Sequence, residues 1–519
     1  MPHIPPLLLT SLLLLAPINA LQIPFFSPTS SPLPSSASPN RPADEGGRTF
    51  TLRHAFHSST SHRHLPPSRL DYSTQDVLSI EGALSPYGNT QTVRKTKRLR
   101  VQRPSSQDAF HAARRSSFMK SMMRSSSRLD FTSLAQSQFE DERLASTLEW
   151  EETEIEVPDT NDVETLAAFG RMTSNAYTTP DQSGWYDIGA GWNRSDSFGW
   201  KEHGIRGHVF ADEKNETIVV SIKGTSAFIV GGGTDTSKND KINDNLLFSC
   251  CCARVDWSWS TVCDCYDSPG VCKQDCLEHA VMTKSAYYPT AIDLYNNISA
   301  IYPDSQIWLS GHSLGGGLAA MLSRTYGVPS ISFESPGDLL PSRRLHLPLP
   351  PPPSNSSSNS SVSKQPTRSL QDELTTHIFH TADPIPMGVC TGTISTCAIG
   401  GFALESRCHT GKTILYDTVG RLGWSVDIRT HPIHIIIDYL LKDDWGVKQR
   451  NLGQDGKKRS WLLGWWPGKG NKDKDGEGGD DGNDEEDEED GQRKGRGVPE
   501  PRFEEDDCED CFRWNFVDG

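Results

Sequence analysis

Gln306-Ile-Trp-Leu-Ser310, then Gly311-His312-Ser313-Leu314-Gly315, then small residues as far as Tyr326: the fold turns on this stretch. The short apolar run reads as a strand, Gly315 to Tyr326 as a helix, and between them stands the pattern G-x-S-x-G. A serine on so tight a strand-to-helix turn needs glycine neighbours, because strand and helix have to approach closely. Its hydroxyl is then lifted above the carboxyl end of a sheet, beside a helix N-terminus that favours a developing negative charge.

Outward from that turn, elements of both kinds alternate. Val163 to Met172 carries apolar residues at helical spacing, and His208-Val-Phe210 and Thr217 to Gly224 read as strands. Cys276 to Ile301 reads as a helix broken near Pro289. Ser330 to Phe333 and His377 to His380 are further strands, and Ile433 to Leu441 is an apolar helix. This alternation predicts an α/β domain with a mostly parallel central sheet, placed at residues 160–445. Within it, residues 345–370 are Pro-rich and then Asn/Ser-rich, a composition suited to a surface insertion.

The chain around this domain is different in kind. Of 519 residues only 35% are hydrophobic, with 34 Pro and 43 Gly, which points to one folded core among segments without one. Residues 22–129 hold 16 Lys/Arg against 6 Asp/Glu, and residues 471–490 hold 2 against 12. Such blocks are expected to stay solvated, so residues 22–130 read as disordered and 446–519 as a polar acidic tail. Trp461-Leu-Leu-Gly-Trp-Trp-Pro467 in that tail is an aromatic patch, suited to a membrane interface or to packing. His54, His57, His62 and His64 lack a scaffold on this reading and are taken as solvated, not as metal ligands. The net charge of −16 argues against nucleic-acid binding.

Residues 1–21 include the uncharged run Leu7 to Leu21, which reads as a signal-anchor helix or as a signal peptide cut after Ala20. Either sends the rest of the chain into the secretory pathway. The 12 cysteines and the sequons at Asn193, Asn215, Asn297, Asn355 and Asn359 agree. Seven of the cysteines lie between Cys250 and Cys276, where an oxidising lumen favours disulfides over a metal site. Seven is odd, so at least one should pair outside, with Cys390, Cys397 or Cys408. Cys508 and Cys511 would form a local bridge or none. The segment also carries Trp257, Trp259 and Tyr266, and reads as a stapled flap able to cover the site or touch lipid.

Serine needs a base to become a nucleophile, and in the G-x-S-x-G fold the acid and histidine follow it in the chain. Asp383, in His380-Thr-Ala-Asp-Pro-Ile-Pro386, follows a strand and is the favoured acid, with Asp417 and Asp427 as competitors. His431, in the loop before an apolar helix, is favoured as base over His434. The oxyanion needs two N–H donors: Leu314, after the nucleophile, and Thr225, in the strand-end loop Gly224-Thr225-Ser226. The Thr225 hydroxyl is a further candidate donor. Such chemistry calls for no metal and no organic cofactor.

Val219-Val-Ser-Ile-Lys-Gly-Thr225, Gly311-His-Ser-Leu-Gly-Gly316 and His380-Thr-Ala-Asp-Pro-Ile-Pro386 resemble the class 3, filamentous-fungal-type lipases. With the N-terminal apolar segment, the cysteine-rich flap and Phe333-Glu-Ser-Pro-Gly-Asp338, the resemblance narrows to the fungal autophagy-related lipases. It covers roughly residues 160–445. It implies an α/β-hydrolase-type lipase with Ser313 as nucleophile, Asp383 as acid and His431 as base. It also implies a single-pass type II membrane glycoprotein that passes through endoplasmic reticulum, Golgi, multivesicular-body and prevacuolar membranes to the vacuole. Its substrates and partners would be membrane phospholipids, with triacylglycerols as a second class, and its role the lysis of autophagic vesicles. A secreted esterase acting on soluble or cell-wall esters, and a catalytically idle lipid-binding membrane protein, are the alternatives.

Overall fold

In Thr217-Ile-Val-Val-Ser-Ile222 and Gln306-Ile-Trp-Leu-Ser-Gly-His312 apolar side chains stand on both sides of the backbone, so each run needs cover on two faces. Both lie in the middle of a sheet in the computed structural model. It describes residues 47–63, 65–72, 90–125, 131–177, 204–225, 235–255, 259–351, 370–392, 395–442, 445, 497–504 and 508–518. The 1–21 segment, His64, Asn193, Trp257, Asn355, Asn359 and the Trp461–Pro467 patch lie outside the described residues.

The first strands are β1 (Arg48–Ser59), β2 (Ser68–Asp71) and β3 (Thr90–Val93). β4 (Thr96–Pro104) and β5 (Trp150–Pro158) pair separately, with helices Gln107–Ser125 and Phe131–Ala145 between them in the chain. β6 (Gly204–Ala211) and β7 (Thr217–Ile222) follow, then β8 (Tyr266–Ser268) and β9 (Val271–Lys273) in the cysteine-rich segment. After β10 (Gln306–His312) come β11 (Ser330–Phe333), β12 (Thr375–His380), β13 (Lys412–Tyr416), β14 (Arg502–Phe503) and β15 (Asn515–Val517). Ten strands form one sheet in the order β14-β13-β12-β11-β10-β7-β6-β1-β2, with β3 also on β1. From β7 through β10, β11 and β12 to β13 the neighbours are parallel, and both edges are antiparallel.

The two-residue period of the strands sorts side chains onto two cores. Ile218, Val220, Ile222, Ile307 and Leu309 pack on one face with helices Tyr287–Ile301 and Leu314–Tyr326. Val219, Trp308, Phe333, Ile378 and Ile414 pack on the other with helix Val163–Asn175 and with Ile433 to Leu441. Asp162 caps the Val163 helix by accepting from Thr165 N at 2.9 Å. The expected break near Pro289 falls at Ser285-Ala286, and Pro289 sits in the first turn of Tyr287–Ile301, where a missing N–H costs nothing.

Four expectations need correcting. Much of 22–130 is folded: β1 is paired with β6 from Thr51 to Ser59, and Phe50 and Leu52 are buried in the core. The basic character is balanced by a distant acidic strand. Arg98 and Arg100 of β4 stand opposite Glu156 and Glu154 of β5, and Arg48 reaches Glu156 at 2.6 Å. His54 lies on β1, between Asp71 at 2.8 Å and the Tyr302 hydroxyl at 2.5 Å. Second, 446–519 is not simply a tail, because β14 closes the main sheet and β15 pairs with β9. Third, the extra bridges reach further than expected. Cys250 pairs with Cys511, Cys408 with Cys508, and Cys390 with Cys397, while 251–272, 252–263 and 265–276 close the flap internally. The 345–370 insertion is also shorter at its start, since Leu345 and Leu347 are buried.

Candidate active site

β10 ends at His312 and helix Leu314–Tyr326 begins two residues on, which leaves Ser313 alone at φ 58°, ψ −130°. This is a backbone region that residues with a Cβ seldom occupy. The flanking glycines follow from contact. A Cβ on Gly311 would lie 2.2 Å from the Gly315 carbonyl oxygen, and one on Gly315 would lie 2.3 Å from that of Ile222. Ser313 N donates to the Phe333 carbonyl at 3.0 Å, tying the turn to β11.

The loop after β7 is pressed against the serine: a Cβ on Gly224 would stand 2.9 Å from Ser313 Cβ. Gly224 N donates to the Tyr177 hydroxyl at 3.1 Å, and that hydroxyl is 2.5 Å from His312 Nδ1. Lys223 Nζ donates to the Gly224 carbonyl at 2.9 Å and lies over the Tyr177 ring. Thr225 Oγ1 donates to Asp244 Oδ2 at 2.5 Å. Burial drives Asp244 up to about 8, against the Thr225 hydrogen bond, and drives Lys223 down to about 8, against Asp240 and Asp244.

The loop after β12 carries Asp383, fully buried. Its Oδ1 accepts from Ile385 N at 3.0 Å and its Oδ2 lies 2.7 Å from His431 Nδ1. Two contacts hold the histidine loop to the acid loop: Asp427 N and Thr430 Oγ1 both donate to the Ala382 carbonyl at 3.0 Å. The His431 carbonyl is 2.9 Å from His312 Nε2, and the two rings are 4.7 Å apart, so His431 stands beside the residue preceding Ser313. Burial opposes ionisation of Asp383, but the charge and hydrogen bond of His431 and a hydrogen bond from Glu334 outweigh it and hold the carboxyl below its ordinary value. Burial, reinforced by His431, takes His312 down to about 3, so it serves as a neutral spacer.

Of the residues expected from the sequence, Ser313, Asp383, His431, Thr225 and Leu314 are brought to one place at the carboxyl end of the parallel strands. The competitors are engaged elsewhere. Asp417 caps helix Thr418–Leu422 and accepts from Gly420 N at 2.8 Å. Asp427 is forked with Arg429, and His434 is half-buried near Asp438. Tyr177, Asp244 and Glu334 escaped the sequence reading. Only Glu334 carried a trace, within the quoted Phe333–Asp338 run. The Sγ atoms of Cys252, Cys263 and Cys265 lie within 4.8 Å of one another, yet each is bound in a disulfide and offers no thiolate to a metal.

A parallel sheet with a strained serine on its central strand-to-helix turn and a histidine–carboxylate pair alongside defines an α/β-hydrolase, a carboxylic ester hydrolase in class. Comparison with known proteins narrows this. A family model described as "Phospholipase-like: Tle-like phospholipase domain" matches residues 273–344. A protein of Cryptococcus neoformans var. neoformans serotype D (strain JEC21) named "Putative lipase ATG15" is 46% identical over 395 residues, covering 71% of this chain and 70% of that one. One of Mycosarcoma maydis with the same name is 41% identical over 484 residues, covering 91% and 85%. The chain belongs to the ATG15 family of autophagy-related lipases. Among solved structures, Lip2 lipase from Yarrowia lipolytica is 18% identical, covering 40% of this chain and 60% of that one, with a TM-score of 0.20. At that score the match adds nothing to the topology above.

Proposed function

We propose that this lipase hydrolyses acyl esters of membrane phospholipids, with triacylglycerols as a second class, and that its role is to lyse autophagic and multivesicular-body vesicles in the vacuole. The observation that carries the chemistry is the 2.7 Å contact of His431 Nδ1 with Asp383 beside the strained Ser313. The phospholipase-like match, which spans the nucleophile turn, supports a membrane lipid over a soluble ester.

In this reading Ser313 Oγ attacks the ester carbonyl carbon while His431 Nε2 takes the hydroxyl proton. Asp383, bonded to Nδ1, fixes the ring tautomer and stabilises the imidazolium. The carbonyl oxygen becomes an oxyanion held by the amides of Leu314 and Thr225. The Thr225 amide takes this part because its hydroxyl is committed to Asp244. The acyl C–O bond then breaks, and His431 returns its proton to the departing lipid alcohol. Water, deprotonated by His431, attacks the acyl-enzyme; fatty acid leaves and Ser313 is restored.

For location, residues 1–21 act in this proposal as a signal anchor. They make a type II single-pass protein of endoplasmic reticulum, Golgi, multivesicular-body and prevacuolar membranes, with the lipase domain lumenal. Among the described residues no helix is long and apolar enough to cross a membrane. Asn215, exposed in the turn before β7, is the better placed glycan acceptor of the two described. Asn297 is half-buried, and its side-chain amide donates to the Asp293 carbonyl. The test is fatty-acid release from phospholipid vesicles at acidic and neutral pH. Ser313→Ala is expected to lower the rate by at least about 10³-fold, and wild type that releases none from vesicles while cleaving a soluble ester would refute the membrane-lipid reading.

A further inference from the structure

Tyr177 has no part in the steps above, yet its hydroxyl stands between the loops that carry them out. It lies two residues past helix Val163–Asn175, where its amide donates to the Ser174 carbonyl at 3.1 Å. Thr173 Oγ1, in the last turn of that helix, is 2.5 Å from Ser310 Oγ on β10. The helix end is thereby fixed to the strand that leads into Ser313. From there the Tyr177 hydroxyl meets Gly224 N at 3.1 Å and His312 Nδ1 at 2.5 Å. A Cβ on Gly224 would come within 2.5 Å of that hydroxyl, so only glycine lets the loop after β7 approach so closely.

The direction of each bond follows from what its atoms can do. The His431 carbonyl can only accept, so His312 Nε2, 2.9 Å away, carries a proton. Burial keeps the His312 ring neutral, which leaves Nδ1 bare and makes it an acceptor. The Tyr177 O–H therefore donates to Nδ1, and its oxygen accepts from Gly224 N. One chain results, from Gly224 N–H through Tyr177 O–H to His312 Nδ1, and from His312 Nε2–H to the His431 carbonyl. Every link donates the same way, and bonds so arranged strengthen one another.

The start of this chain bears on the oxyanion donor. The peptide between Gly224 and Thr225 is planar and trans, so its carbonyl and its N–H point in opposite directions. Lys223 Nζ holds that carbonyl at 2.9 Å and sits 5.2 Å from the centre of the Tyr177 ring. Gly224 is thus held at both ends, its N–H by the Tyr177 hydroxyl and its carbonyl by the ammonium group over the Tyr177 ring. That grip aims the Thr225 amide the other way.

We propose that Tyr177 is a positioning residue of the lipase: its hydroxyl ties the loop bearing the Thr225 amide to His312 and, through it, to the backbone of His431, so that oxyanion donor and base keep one geometry. This rests on the roles given above to Ser313, Thr225 and His431. The tie counts most once the oxyanion forms, because the neutral ester carbonyl of bound substrate asks less of its donors.

The experiment measures kcat and KM of the full chain on a soluble short-chain ester, per active site titrated with a serine-reactive phosphonate. Alongside it runs the Ki of a trifluoromethyl ketone, whose carbonyl carbon takes Ser313 Oγ and leaves an oxyanion in the same place. Tyr177→Phe keeps the ring beside Lys223 and removes only the hydroxyl. It is expected to lower kcat about 10–10²-fold with KM held within about twofold, and to raise the Ki by a similar factor as kcat falls. Wild-type kcat per titrated site, even with a lowered Tm, overturns the proposal and leaves Tyr177 a packing residue. A KM that rises while kcat holds also overturns it, because Tyr177 would then meet the substrate. His312→Phe tests the second link: the double variant is expected to be no slower than the slower single one, and losses that multiply overturn the chain. Should His312→Phe fail to fold, the Ki for Tyr177→Phe decides, an unchanged Ki overturning the proposal. Full activity of Ser313→Ala would overturn the hydrolase reading beneath it, a result distinct from any that Tyr177→Phe can give.

Discussion

Thr225 shows how far a single residue could be read. Its place after a strand made it a donor candidate, with its hydroxyl left open as a second donor. The answer lay 19 residues on, in an Asp244 that nothing marked in the sequence. With the hydroxyl given to Asp244 Oδ2, the proposed mechanism leaves Thr225 to act through its amide, which that bond helps hold in place. Thr225→Val is then expected to lower kcat by about tenfold with KM little changed, since only pre-organisation is lost. A fall of about 10²–10³-fold, the usual cost of deleting an oxyanion donor, would show that the hydroxyl itself meets the oxyanion. The catalytic candidates were legible for a related reason: Ser313, Asp383 and His431 each follow a strand or precede a helix, and chain order does the rest. What separates Asp383 from Asp417 is burial and partnership, and no local pattern encodes either.

At the scale of elements, the parallel strands β7 and β10 were legible because both of their faces are apolar, while β11 and β12 showed only as short runs, with the apolar Ile331, Phe333 and Ile378 on one face. β1 was not legible. Its Arg, His and Ser conceal Phe50 and Leu52, and its partner β6 lies about 150 residues away. The C-terminal strands β14 and β15 are short, and two disulfides with sequence separations of 261 and 100 hold them in place. Trp514 and Phe516 pack on the flap's cysteine cluster, and Trp514 Nε1 lies 3.4 Å from Glu405, which also accepts from Cys250 N at 2.6 Å. Cys508 and Cys511 are three residues apart on one strap, so either bridge alone keeps the segment at its site. Loss of one is expected to lower Tm by only about 2–3 °C, and loss of both by more than twice that, because only the double change releases the long loop. Calorimetry of Cys508→Ser, Cys511→Ser and the double variant, all unreduced, tests this. Additive small losses would mean that the packing of Trp514 and Phe516, not the bridges, anchors the strap.

For the whole molecule, net charge says little and the placement of buried groups says more. Burial pushes up the carboxyls of Asp212, Asp244, Glu334, Glu405 and Asp510, Asp244 to about 8 and Glu405 to about 7. It pushes down His54, His111, His312, His377, His380 and His434, with His111 and His312 at about 3. A raised carboxyl keeps a proton that the unfolded chain has lost, so stability falls as pH rises from the ordinary value of 3.8 or 4.5 to the folded one. A lowered histidine refuses a proton that the unfolded chain accepts, so stability falls as pH drops below 6.5. Each proton of difference is worth about 1.4 kcal/mol per pH unit. Between about pH 4.5 and 6.5 the two sets oppose each other. Above 6.5 the histidines no longer contribute, while Asp244 and Glu405 go on losing protons up to about 8. Below the carboxyl range nothing offsets the histidines, and Asp338 and Asp383, both held low, add to the loss. Tm is therefore expected to be flat within a few degrees from about pH 4.5 to 6.5 and to fall on either side, the fall towards about pH 8 being several degrees. Thermal melts across matched-ionic-strength buffers would show it, and Glu405→Gln should flatten the fall on the alkaline side. A Tm that climbs steadily from pH 4.5 through 8 would mean that the histidines dominate and that this fold is not balanced for an acidic compartment.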